Sequence, residues 1–294
     1  MGSRLLGALR HVGVGRRSDP TPGRRRSRTG PSHRGQPAPA GDRRMTMSEE
    51  TSNILCVIPV RGGSKGVPGK NRRLVGGKPL VVWTIEQALA ARPALDVLVS
   101  TDDPELARIA REAGADVPFL RPDSLAQDET ATEPVIVHAI AHRTSEGRRP
   151  DAVMLLQATS PLRLPGTIDR AVSQFRETAV DSLVGVVPQT PFLWRRGDPV
   201  LAHYDIDARP RRQELDADGY FYRETGSLYL TRTEIYEQRH NRLGGDVGLF
   251  VMVDVEGIDI DTELDLSLAA HELQRLSTAD GDPTRSSAPE ETAL

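Results

Sequence analysis

The stretch that most constrains this chain is residues 54–71, ILCVIPVRGGSKGVPGKN. Residues 54–59 form an apolar, partly β-branched run with the length and composition of a buried strand. The run passes directly into a loop containing Gly62, Gly63, Gly66 and Gly69 and the cations Arg61, Lys65 and Lys70. Glycines let backbone N–H groups curl around an anion, and fixed cations offset its charge, so this composition predicts a bound nucleotide polyphosphate. Neither familiar glycine loop fits. The dinucleotide fingerprint G-x-G-x-x-G finds no matching spacing. The P-loop G-x-x-x-x-G-K-[ST] fails at both ends, with Ser64 in place of its first glycine and Asn71 in place of its last hydroxyl. The loop is therefore a phosphate loop of a third kind.

Downstream, helical and extended patterns alternate. The periodicity predicts a helix over 79–91, a strand over 96–100, a helix over 104–113 capped by Asp102 or Asp103 and stopped by Gly114, and a short strand over 117–120. A polar loop over 121–133 leads into a helix over 132–144. His138 and His142 lie four apart on it, but no H-E-x-x-H pattern is present, so they read as packing residues. A strand over 151–156 delivers Gln157-Ala158-Thr159-Ser160-Pro161-Leu162-Arg163, followed by a helix over 164–178 and a strand over 182–188. This alternation predicts an α/β fold with a parallel, right-handed sheet. In such sheets ligands sit beyond the carboxyl ends of the strands, so the loop at Gln157 should face the glycine loop across one crevice. Gln157 offers both a donor and an acceptor, which suits the edge of a pyrimidine.

Residues 190–218 are irregular and rich in Pro and Arg, the signature of a functional or interaction excursion. Near the end, an apolar run over 249–254 precedes Ile258-Asp259-Ile260-Asp261-Thr262. Strand alternation would put Asp259 and Asp261 on one face as two hard oxygen ligands for Mg²⁺ beside substrate phosphates. The simpler reading is that Asp261 or Thr262 caps a helix over 263–276.

Three segments together resemble the acylneuraminate cytidylyltransferases, or CMP-sialic acid synthetases. They are Arg61-Gly62-Gly63-Ser64-Lys65-Gly66 with Pro68, Lys70, Asn71 and Gly77-Lys78-Pro79-Leu80; Gln157 to Arg163; and Arg211-Arg212-Gln213-Glu214 followed by Glu224-Thr225-Gly226-Ser227. The family usually has Pro at the position of Ala158 and Asn at that of Thr225, and the second departure removes a carboxamide, so the resemblance constrains the reaction more tightly than the acceptor. The resemblance implies a Rossmann-like nucleotide-diphospho-sugar transferase fold, with a mostly parallel twisted sheet, helices on both faces and a dimerisation excursion over 190–218 whose tip reaches the partner's active site. It implies CMP transfer from CTP to the anomeric hydroxyl of a sialic-type acid. Arg61, Lys65 and Asp261 are then the catalytic candidates, and Arg61, Gly62, Gly63, Ser64, Lys70, Asn71 and Gln157 would hold CTP. Arg163, Arg212, Gln213 and Tyr229 would hold the acceptor, and Asp259 and Asp261 the Mg²⁺. No general base is identifiable. The rival acceptors are 3-deoxy-octulosonate, pseudaminic or legionaminic acid, or a phosphonate; the rival class is a noncatalytic nucleotide-binding scaffold.

Charge and composition bound the rest. Eleven arginines against two aspartates give residues 1–46 a charge of +9, so the −3 of the whole chain leaves −12 on the remainder. An acidic body argues against nucleic acid as its partner. The Arg-, Pro- and Gly-rich residues 1–50 read as a disordered extension, with 51–276 as the folded domain and 277–294 as a disordered tail. A basic arm or a transit peptide would share the composition of 1–50, but translation starting at Met45 or Met47 is the preferred reading. The single cysteine, Cys56, excludes a disulfide framework and fits a reducing cytoplasm. The apolar runs fall short of the roughly 18 residues that predict a membrane span.

Overall fold

The computed structural model describes residues 53–63, 66–215 and 219–279. The predicted extension over 1–50, the chain beyond 279 and two predicted site residues, Ser64 and Lys65, lie outside them. Strand β1 (Ile54–Pro59) leads through the glycine loop to a small hairpin of β2 (Leu74–Val75) and β3 (Lys78–Pro79), then to α1 (Leu80–Leu89). There follow β4 (Asp96–Ser100), α2 (Pro104–Glu112), α3 (Thr132–Ser145), β5 (Ala152–Leu156), α4 (Thr167–Thr178) and β6 (Ser182–Gln189). A hairpin of β7 (Trp194–Arg195) and β8 (Leu201–Ala202) occupies the excursion. The chain closes with β9 (Phe221–Arg232), α5 (Thr233–Arg239), β10 (Val247–Val251) and α6 (Glu263–Ala279).

Six strands form one sheet in the order β10-β6-β9-β5-β1-β4. The pairs β1–β4, β1–β5 and β6–β10 are parallel, whereas β9 runs antiparallel to both β5 and β6. The central strands are buried on both faces, which is why β1 and β5 read as unbroken apolar runs rather than alternating ones. One face packs Ile85, Leu106 and Phe175 of α1, α2 and α4; the other packs Ile136 and Tyr236 of α3 and α5. A third cluster seats Leu266 and Leu273 of α6 against Val75 and Leu80, and takes in Ile260.

Local chemistry fixes the element ends. The Asp103 side chain accepts from the N–H groups of Glu105 and Leu106, with Pro104 in the first turn, so α2 starts as its sequence predicts. Gly114 ends it at φ +95°. Two expectations fail here. Residues 117–120 make no strand: only Asp116 bridges to Leu98, and Pro118 has no N–H with which to continue a ladder. Helix α4 begins at Thr167, after Pro165 and a left-handed Gly166, rather than at 164. Among the described residues no helix is long and apolar enough to cross a membrane.

Candidate active site

Beyond the ends of β1 and β5 the structure opens a cleft of about 390 Å³. It brings together Arg61, Lys70, Asn71, Gln157 and Asp261, five of the residues predicted for the site. The glycine loop is held by its own side chains. Asn71 Nδ2 donates to the Arg61 carbonyl at 3.2 Å, while Asn71 Oδ1 is buried and has no partner among the described residues. Lys70 Nζ reaches the carbonyl of Ile260 and lies 3.5 Å from Asp261 Oδ1, tying the first loop of the domain to the last. Gly66 is required there, because a Cβ would overlap the Asp261 carbonyl. Gly62 donates its N–H to Asp102 Oδ1 at 3.2 Å, and Gly63 is exposed beside it.

Sequence reasoning assigned no role to Arg121, which the structure puts in the cleft wall. Its guanidinium is buried, donating from Nε to Ser100 Oγ at 3.1 Å and from Nη2 to the carbonyls of Val60 and Ser100. Burial pushes its pKa down to about 10, so it remains a cation at neutral pH. Arg121 follows the apolar run over 117–120, but an arginine after an apolar run does not announce which way it turns. The same wall includes residues 125–132, read from sequence only as a polar loop.

Gln157 leaves the end of β5 and meets Gly226, which adopts φ +72°; a Cβ on Gly226 would lie 2.6 Å from Gln157 Oε1. This contact arises from a bulge in β9. Val184 pairs with Tyr229 but Val186 with Glu224, so residues 225–228 face the single Gly185, with Leu228 kept in register on Leu156 of β5. Thr225 fastens the bulge: its hydroxyl donates to the Gly185 carbonyl at 2.9 Å and accepts from the Ser227 N–H at 3.1 Å. Of the two residues that depart from the family pattern, Thr225 is therefore buried in the sheet and does not line the cleft, whereas Ala158 does.

Two acceptor candidates prove to be internal. Arg163 is buried and spends all five N–H groups inside the protein, on the carbonyls of Ser227 and Gln157 and on the side chains of Thr84 and Gln87. It braces the Gln157 loop and has no donor left for a ligand. Tyr229 packs in the α3-side core with the Arg242 guanidinium 5.1 Å from its ring, and its hydroxyl donates to Glu224; burial and that carboxylate raise its pKa. Arg212 and Gln213 sit exposed on a short 3-10 turn of the excursion and do not line this chain's cleft.

The aspartate pair also differs from expectation. Residues 258–261 form no strand. Instead Ile260 anchors the segment, its side chain buried and its N–H donating to the Thr159 carbonyl at 2.9 Å. Asp261 points into the cleft with 76% of its side chain exposed. Asp259 turns aside, its Oδ1 accepting from Ile260 N–H at 3.1 Å and lying 3.4 Å from Ser160 Oγ. Helix α6 is capped by Thr262 and Asp265, which bond each other's N–H groups in a capping box; Thr262 holds the Asp265 carboxyl below its usual range. Asp261 is thus free of capping duty. No group of three or more His, Cys, Asp or Glu gathers among the described residues. A donor set of one or two carboxylates suits a hard cation whose remaining ligands are water and substrate phosphate, which is the habit of Mg²⁺. His138 and His142 pack edge-on against Phe119, as expected of packing residues.

A buried carboxylate joins the two late loops. Glu256 Oε1 accepts from Leu164 N–H at 2.9 Å and from the Thr167 hydroxyl, and its Oε2 from Val253 N–H at 3.2 Å.

Comparison with known proteins finds relatives over most of the chain. The cytidylyltransferase family model matches residues 55–249. The CMP-N,N'-diacetyllegionaminic acid synthase of Legionella pneumophila is 35% identical over 220 residues, covering 73% of this chain and 94% of that protein. The pseudaminic acid cytidylyltransferase of Campylobacter jejuni is 30% identical over 220 residues, with the same coverage of 73% and 94%. N-acylneuraminate cytidylyltransferase A of Danio rerio is 31% identical over 232 residues, or 77% of this chain and 52% of that longer protein. Among solved structures, CMP:2-keto-3-deoxy-manno-octonic acid synthetase complexed with CTP superposes with a TM-score of 0.56 at 19% identity, covering 78% of this chain and 100% of that one, a likeness of fold.

Proposed function

The chain belongs to the cytidylyltransferase family, and on that premise we propose that it transfers CMP from CTP to the anomeric hydroxyl of a nonulosonic acid. The observation that carries this reading is the convergence of Arg61, Lys70, Asn71, Arg121, Gln157 and Asp261 on one cleft. The hydroxyl oxygen forms a bond to the α-phosphorus, the bond from that phosphorus to the β-bridging oxygen breaks, and pyrophosphate leaves in line. The proton of the hydroxyl passes to solvent. Little covalent chemistry falls to the protein, so its residues act by placement and charge.

Arg61 and the loop amides, with Ser64 and Lys65, hold the triphosphate, and Lys70 stands between it and Asp261. The orphaned Asn71 Oδ1 accepts from a nucleotide hydroxyl. Arg121 and Gln157, fixed at strand ends, read the pyrimidine and the acceptor. Asp261, with Asp259, would hold Mg²⁺, which when bound offsets phosphate charge and acidifies the attacking hydroxyl. Arg212 and Gln213 act in trans in a homodimer, meeting the acceptor carboxylate of the partner's cleft; this accounts for their distance from their own. The lone cysteine is a buried thiol with its pKa pushed up to about 12 by burial, in keeping with a cytoplasmic enzyme.

A pyrophosphate-release assay with CTP, Mg²⁺ and a panel of sialic, legionaminic, pseudaminic and 3-deoxy-octulosonic acids tests the reading. We expect turnover with at least one nonulosonic acid. Intact CTP binding with no turnover on any of them would favour a noncatalytic scaffold.

A further inference from the structure

Two anion-binding groups of the glycine loop are already engaged by the protein's own carboxylates. The Arg61 guanidinium donates to Asp128 Oδ1 at 2.7 Å, and the Gly62 N–H to Asp102 Oδ1. The two contacts differ in kind. Asp102 lies just past β4 and meets the loop from behind, away from the cleft lining. Asp128 belongs to the segment between the 3-10 turn Asp123–Leu125 and α3, which forms the wall facing the loop. Its pair with Arg61 therefore lies within the lining of the space that a nucleotide enters.

Both partners stay partly exposed, 31% for the Arg61 side chain and 52% for that of Asp128. Pairs this exposed contribute little to stability, so folding alone does not account for a bridge across a binding cleft. A carboxylate and a phosphate present similar oxygens to a guanidinium and compete for the same fork. A phosphate that takes the Nη1 side of Arg61 must take the place of Asp128.

We propose that Asp128 is an internal counter-anion that competes with phosphate for Arg61 and thereby sets the affinity of the cleft for triphosphate and pyrophosphate. The proposal rests on the reading of Arg61 as a triphosphate ligand. On nucleotide entry the phosphate oxygens replace Asp128, which turns toward solvent; as pyrophosphate departs, Asp128 returns and Arg61 is never left without an anion. The competition falls on every ligand that extends to Arg61 and on none that stops short. With Arg61 assigned to the β- and γ-phosphates, the competition weighs on CTP and pyrophosphate and leaves CMP untouched, so it limits retention of one product without loosening the nucleoside.

Calorimetric titration of the full chain and of Asp128→Asn with CTP, pyrophosphate and CMP, in Mg²⁺ and without acceptor sugar, tests this. The substitution lies on an exposed side chain and removes charge with little change of shape. We expect the variant to bind CTP and pyrophosphate roughly two- to fivefold more tightly, with CMP unchanged. The gain should shrink as salt is raised through the range where the Debye length falls below about 8 Å. Unchanged or weaker CTP binding by the variant, beside normal binding by the parent, overturns the competition, as does equal tightening of all three ligands. A parent chain that binds no CTP overturns the triphosphate reading itself, and the proposal with it.

Discussion

At the scale of single residues, Gly226 and Asp261 carry the clearest consequences. Gly226 is left-handed and has no room for a Cβ beside Gln157. Gly226→Ala should cost about 1–2 kcal/mol from the backbone alone, read as a lower urea midpoint, and should raise the KM for CTP by displacing Gln157. Asp261→Ala should lower Mg²⁺-dependent turnover by roughly 100-fold or more while leaving the melting temperature near that of the parent, since its side chain is largely exposed and caps nothing. Near-normal activity in that variant would refute the metal assignment. The glycine loop was legible in the sequence because its chemistry is local: spacing alone sets Arg61, Lys70 and Asn71 around one turn. Arg163 was not. A ligand-binding arginine and a bracing one look the same in sequence, and only the fold decides whether five N–H groups meet a substrate or the carbonyls of Gln157 and Ser227.

At the scale of elements, the site depends on fastenings between loops that lie far apart in sequence. Glu256 holds the segment leading to Asp261 against the start of α4 through Leu164 and Thr167. Removing its carboxylate leaves the N–H groups of Leu164 and Val253 without their acceptor, at about 1–3 kcal/mol for each buried group. Glu256→Ala should therefore destabilise the domain by several kcal/mol in urea unfolding, with Glu256→Gln intermediate because one oxygen acceptor remains. Helices and parallel strands were readable from period and caps, as α2 shows with Asp103, Pro104 and Gly114. Strand β9 was not, because its alternation is interrupted at the bulge of Thr225 to Ser227. The stretch 258–261 looked like a strand because its apolar and acidic residues alternate. The backbone there is instead pinned by the Ile260 N–H on the Thr159 carbonyl and by Lys70 on the Ile260 carbonyl, which orient Asp261 without any ladder.

At the scale of the molecule, the alternation of helices and strands predicted the α/β class but not the reversed strand in its midst. Strand β9 lies between β5 and β6 and runs against both. The excursion before it exposes Trp194, Val200, Leu201 and Ile206, an apolar surface of the kind that marks an interface. Light scattering should report a dimer, and Ile206→Glu combined with Trp194→Glu should shift it to monomer and lower acceptor turnover, while CTP binding survives. The reversal of β9 also has a consequence for how such a protein can change. Because Gln189 at the end of β6 is paired with Phe221 at the start of β9, the chain departs and returns at a single doorway, and the sheet below is finished without what lies between. Such an appendage can lengthen, shorten or be exchanged between lineages while the sheet and its cleft stay the same.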